Sequence, residues 1–102
     1  MSDDPKKPIA CDDLERFAAL LKAMGDPSRL NLLNELCEKD ACVGELAETT
    51  GLSHANTSKH LSVLRQVGLV SYERQGNSKC FSLSSTLFTQ ICSNLGCGGD
   101  ED

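Results

Sequence analysis

Leu14, Phe17, Ala18, Leu21 and Met24 recur three and four positions apart, the spacing of one face of a helix. Asp12 with Glu15 three residues on forms a capping-box-like start, and Gly25 stands where that helix should stop. A second helix begins at once, with Asp26 as cap and Pro27 in the first turn. Leu30, Leu33, Leu36 and Cys37 supply its expected buried stripe, and it ends near Glu38.

From Cys42 to Gly68 the chain reads CVGELAETTGLSHANTSKHLSVLRQVG. This predicts a short helix over Val43 to Thr50, a left-handed terminator at Gly51, an inward Leu52, a cap at Ser53 and a further helix closed by Gly68. Two helices joined by so tight a turn form a helix-turn-helix, held together by Leu46, Ala47, Leu52, Thr57, Leu61 and Leu64. Placing Leu61 and Leu64 inward puts His54, Asn56, Lys59 and Ser62 on or beside the outward face. There, short polar and basic side chains can enter a major groove.

Next comes a β-hairpin: LVSYER and KCFSL flank QGNS, and the pair Gly76-Asn77 marks the turn. Arg74 and Lys79 bracket that turn, so a charged loop projects beside the second helix of the motif as a wing, suited to backbone or minor-groove contacts. Ser53, His54, Asn56, Ser58, Lys59 and Ser62, with Arg74, Asn77 and Lys79 of the wing, are the candidate readers of double-stranded DNA. Ser84 or Ser85 caps a last helix carrying Leu87, Phe88, Ile91, Cys92 and Leu95 on one face. The fold class is mainly α: four helices, a two-stranded hairpin wing and a fifth helix, in one winged helix-turn-helix domain over residues 11–97. Residues 1–10 and the acidic 98–102 read as tails.

Composition first argues against DNA, because the net charge over 102 residues is −5. Its distribution reverses that. Residues 51–84 carry Lys59, Arg65, Arg74 and Lys79 against Glu73 alone, whereas residues 21–50 and both ends are acidic. A local basic face is what phosphate contact requires. No apolar run is long enough to cross a bilayer and the first residues lack the apolar centre of a signal peptide, so a cytoplasmic protein without membrane contact is expected. Six cysteines at irregular spacing in that compartment point to ligand or redox chemistry rather than a disulfide framework.

From about Phe17 to Leu83, roughly two thirds of the chain, the stretches LLKAMGDPSRLNLL, CVGELAETTGLS and TSKHLSVLRQVGLVSYERQGNSKCFSL resemble the ArsR/SmtB repressors almost position by position. The resemblance implies a homodimer formed mainly by the first and last helices, a palindromic operator, and repression relieved when an inducer binds. Zinc sensors of that family place aspartate, histidine and glutamate in the last helix. Residues 84–99 here contain no histidine or acid. His54 and His60 lie in the reading helix, where DNA contact or packing accounts for them better than metal.

Metalloid and heavy-metal sensors of the family often open the first motif helix with a C-x-C pair. This chain keeps Cys42 but has Gly44 at the second position, so the usual chelate is broken. Cys11 could join Cys42 from the other subunit, as in the family's cadmium and lead sensors. A second grouping is Cys92 with Cys97, which Gly96 lets fold together, and Cys11 is a candidate third thiol. Sulfur ligands without imidazole suit As(III) or Sb(III). The same thiols could instead form a disulfide or take up a persulfide sulfur, giving a redox-responsive repressor without metal. Cys37 is expected in the core as a small hydrophobe, and Cys80 in the wing strand is read as packing. No permanent cofactor is expected. A glycine-rich phosphate loop, a supported Ser/His/Asp arrangement and a C-x-x-C pair are all missing, which sets enzymes aside; a winged helix used purely for protein interaction is the remaining rival.

Overall fold

A computed structural model describes residues 11–84. Its elements run α1 (Cys11–Met24), α2 (Pro27–Glu38), β1 (Ala41–Cys42), α3 (Val43–Thr50), α4 (His54–Gln66), β2 (Val70–Gln75) and β3 (Ser78–Leu83). The expected fifth helix, the tails, Cys92 and Cys97 lie outside the described residues.

Local chemistry sets the helix boundaries. Asp26 caps α2 by accepting the Arg29 N–H at 3.2 Å, with Pro27 in the first turn where a missing N–H costs nothing. Ser53 caps α4 by accepting the Asn56 N–H at 3.0 Å. Between α3 and α4 the chain turns through Gly51 at φ 79°, a left-handed conformation that costs a side-chain-bearing residue about 1–2 kcal/mol. At the far end of α4 the N–H of Gly68 bonds to the carbonyl of Arg65 and that of Leu69 to the carbonyl of Leu64, each at 3.0 Å, which seals the last carbonyls before β2.

Leu32, Leu33, Leu46, Leu61, Leu64, Leu69 and Val70 are almost wholly enclosed. Each such side chain contributes about 1.5–3 kcal/mol by leaving water. They join α2, α3, α4 and the sheet in a single core. Thr57 is also enclosed, its hydroxyl donating to the Ser53 carbonyl at 2.8 Å, so no buried polar group is wasted there.

Two expectations change. The sheet has three strands, in the order β1-β3-β2, rather than two. Ala41 and Cys42 pair antiparallel with Phe81 and Cys80, a contact distant in sequence that two residues are too short to advertise. In α2 the buried face runs through Leu32, Leu33 and Leu36, and both Leu30 and Cys37 are exposed. Those two positions stand roughly a quarter-turn round the helix from the buried centre, so Cys37 is not a core hydrophobe. Helix α1 turns Ala23 and Met24 inward, while Leu14, Phe17 and Leu21 stay 40–48% exposed. The apolar stripe read from the sequence exists, but one copy of the chain leaves it open.

Candidate nucleic-acid interface

Helix α4 is divided by its burial. Thr57, Leu61 and Leu64 form the inner edge. His60 flanks that edge toward α2: its Nδ1 lies 3.3 Å from Nη1 of Arg29 and 3.8 Å from Oδ2 of Asp26. A neutral ring can accept from Arg29 there, and a protonated one makes an ion pair with Asp26. Arg29 also reaches back through Nη2 to the Lys22 carbonyl at 3.4 Å, tying α4 to the end of α1 through α2. His60 is therefore a packed ring, the second of the two roles open to it from sequence.

Every predicted reader in the helix is exposed: Ser53, His54, Asn56, Ser58, Lys59 and Ser62. In the wing, Arg74 and Asn77 are exposed and Lys79 is half-buried. The register closes the hairpin tightly, with Arg74 opposite Lys79 and Gln75 opposite Ser78. A cleft of about 220 Å³ separates helix from wing, lined by His54 and Ser58 on one side and by Arg74, Asn77, Ser78 and Lys79 on the other, with Cys42, Val43 and Gly44 at its base. Eight of the nine predicted side chains are thus exposed; Ser53 is the cap already described, and the half-buried Lys79 has an aromatic neighbour.

That neighbour was missed from sequence. The Lys79 ammonium lies 4.7 Å from the centroid of the Tyr72 ring, and the Arg65 guanidinium lies 5.0 Å from the same centroid. Tyr72 itself stacks at a tilt on Phe81, 5.3 Å between centroids. One ring thus holds two cations, one from the last turn of α4 and one from the wing, beside a smaller cleft that also contains Ser58 and Ser62. The period-2 pattern of Val70, Ser71 and Tyr72 was the available signal, since it turns Tyr72 to the same side of β2 as buried Val70.

These elements match the model of the bacterial regulatory protein arsR family over residues 26–72, which runs from the α2 cap to the aromatic ring of the wing. The nodulation protein NolR of Rhizobium meliloti is 38% identical over 91 residues, covering 89% of this chain and 75% of that protein. The chain belongs to the arsR family. As an arsR-family protein it is a DNA-binding transcriptional regulator and not an enzyme. A transcriptional repressor SmtB homolog of Synechocystis is 31% identical, over 85% of this chain and 69% of its own length. Among solved structures, reduced HlyU from Vibrio cholerae superposes with a TM-score of 0.74 at 32% identity, covering 84% of this chain and 94% of that one.

Three cysteines of this arsR-family protein, Cys37, Cys42 and Cys80, have described side chains, and the expected grouping of Cys92 with Cys97 lies outside the described residues. Cys11 is the first residue of α1. Cys42 is half-buried at the N-cap of α3, where its backbone N–H donates to Oε1 of Glu45 at 3.1 Å. That hydrogen bond, with the Cys42 side chain and then nearby Lys39, holds the Glu45 carboxyl below the usual glutamate range. Cys80 lies opposite Cys42 across the β1–β3 ladder, on the same face of the sheet. Burial, and then the negative charges of Asp40, Cys42, Glu45 and Glu73, push the Cys80 thiol up. No group of three or more histidine, cysteine, aspartate or glutamate side chains suited to a metal occurs among the described residues. None of the described helices is long and apolar enough to cross a membrane.

Proposed function

We propose that this protein is a cytoplasmic homodimeric repressor that seats α4 in the major groove of a palindromic operator, sets its wing on the adjacent backbone, and is released by chemistry at its thiols. The exposed polar side of α4 beside the Arg74–Lys79 hairpin carries this reading. Asn56, Lys59 and Ser62 are exposed on α4, while His54, Ser58, Arg74, Asn77 and Lys79 line a cleft of about 220 Å³ beside it. The net charge is carried elsewhere, so the acidic remainder limits indiscriminate binding without weakening this face.

The inducer proposed is a soft metalloid, As(III) or Sb(III), held by thiolates drawn from Cys92, Cys97, Cys11 and Cys42. A second reading, thiol oxidation without metal, is favoured by the placing of Cys42 against Cys80 and by likeness to a regulator whose solved structure is distinguished as the reduced form.

Retention of reduced protein by DNA from upstream of its own gene, titrated with salt, tests the first claim. A steep loss of affinity with rising salt is expected, and no retention at any salt rejects the repressor. Arsenite, antimonite, cadmium, lead, zinc and polysulfide added side by side to the bound complex then separate the inducers: release by arsenite and antimonite alone supports the metalloid, and release by polysulfide alone supports the oxidative reading.

A further inference from the structure

We propose that Cys42 and Cys80 form a reversible cross-strand disulfide that sets the position of the wing against the helix-turn-helix, a modification site formed by β1 and β3 rather than by the terminal cysteines. This names the thiols for the oxidative reading above and rests on it only for the effect on DNA; the bond itself does not.

The register carries the geometry. Cys42 and Cys80 are direct partners in an antiparallel ladder, so their side chains leave the same face of the sheet. Direct antiparallel partners have Cα atoms about 4.5 or about 5.5 Å apart, according to whether the pair is hydrogen-bonded, and both values fall inside the roughly 4.4–6.8 Å window of disulfides. Only a small local closing of the ladder is needed to bring the sulfurs together. Both are free thiols and both are half-buried, so each keeps some solvent access.

The three-stranded sheet has two rows of opposed function. Ala41, Phe81 and Tyr72 form one row across β1, β3 and β2, and Cys42, Cys80 and Glu73 form the next. The first row is packed on the core and carries the ring that holds Arg65 and Lys79. The second row carries the thiols. Lys79 is the residue before Cys80, and Cys42 is both the cap of α3 and part of the base of the cleft between α4 and the wing. Any shift of this pair is therefore felt at the base and on the wing side of that cleft.

The co-reactant is a low-molecular-weight disulfide. Cys42 thiolate attacks one sulfur of the reagent and displaces the first small thiolate, leaving a mixed disulfide on Cys42. Cys80, whose thiol burial pushes up, is the resolving one: as its thiolate it attacks the Cys42 sulfur and expels the second small thiolate. The two protons from the protein thiols end on the two released small thiols. The protein pair has lost two electrons, and the reagent has gained them. In the product the Cβ atoms lie about 3.8 Å apart, against about 4.5–5.5 Å in the open pair, so closure draws β1 toward β3 on this face and displaces Lys79 from its place on Tyr72.

Reduced full-length protein is treated with oxidised glutathione, alkylated, digested and mapped by mass spectrometry, with operator affinity measured on the same samples. A peptide linking Cys42 to Cys80, released by dithiothreitol, is the expected product. Operator affinity should fall about tenfold on oxidation, within the usual range of allosteric coupling, and return on reduction; Cys80→Ser should bind the operator when reduced and lose most of the response. Absence of the linked peptide in the wild-type chain, whatever the variant does, overturns the site. A linked peptide with unchanged affinity, or a Cys80→Ser response equal to wild type, overturns its control of DNA. Should the reduced wild type not bind its operator at all, the repressor reading fails while the peptide map still decides the disulfide.

Discussion

The Arg65 guanidinium at the end of α4 lies 5.0 Å from the centre of the Tyr72 ring in β2, so the reading helix and the wing share an aromatic anchor. Lys79 uses the same ring from β3. Each contact is worth about 0.5–1 kcal/mol at a partly exposed site. Their larger effect is orientation, because two long cationic side chains are held beside the cleft before DNA arrives. Tyr72→Leu, which keeps apolar bulk but removes the ring, should weaken operator binding about three- to tenfold in a gel-shift titration. Tyr72→Phe keeps the ring and should bind as wild type; equal loss in both variants would mean the phenol hydroxyl, not the ring, matters.

Asn56 and Lys59 are exposed on α4, yet they should fail in different ways. If Asn56 reads a base edge, Asn56→Ala costs about 1–3 kcal/mol on the operator and little on random DNA. Lys59, as a phosphate partner, should when replaced by Ala weaken both and lower the slope of log affinity against log salt by about 1. Circular dichroism of both variants should match wild type, since neither residue contributes to the core.

Local signals made much of this fold legible in the sequence. Asp26-Pro27, Gly51-Leu52-Ser53 and Gly76-Asn77 each state a backbone conformation within two or three residues, and each stands where it was read. Outward positions on α4 followed from the inward leucines. Strand β1 was not legible, because Ala41-Cys42 is too short for any period and exists only through its pairing with β3. The same long-range pairing hid the opposition of Cys42 and Cys80. Cys37 was misplaced because the apolar residues of α2 cover more than one stripe, and only packing selects Leu32 over Leu30.

Removing the cap of the reading helix should cost stability in a graded way. Ser53→Ala leaves the Asn56 N–H without its 3.0 Å acceptor, a loss of about 1 kcal/mol. For a domain of this size that lowers Tm by about 4–8 °C, read at fixed protein concentration. Ser53→Asp supplies another acceptor and should recover most of the loss. No change in Ser53→Ala would mean that solvent replaces the cap.

Glu45 predicts an acid-limb effect. Its carboxyl is held below the ordinary range mainly by the Cys42 N–H, so the folded state binds this proton less readily than the unfolded chain. The stabilisation is complete above the unfolded glutamate value, near pH 4.3, and is lost as pH falls through the lower folded value. Glu45→Gln removes this dependence. The Tm gap between wild type and Glu45→Gln, measured from pH 7 down to pH 3, should therefore narrow toward the acid end; a gap that widens on acidification contradicts the assignment.

The open stripe of α1 tests assembly separately from DNA chemistry. Phe17 and Leu21 are 40% and 48% exposed although helical spacing puts them with Leu14 on one apolar face, as expected if a second copy covers them. Phe17→Glu with Leu21→Glu should leave the helical content of each chain unchanged, since Ala23 and Met24 hold α1 to the core. Sedimentation should then report a monomer where wild type gives a dimer. Because a palindromic operator rewards two linked reading helices, the monomer should bind it about 100-fold more weakly, while binding to a single half-site changes little. A double variant that remains dimeric would place the twofold contact on another face of the chain.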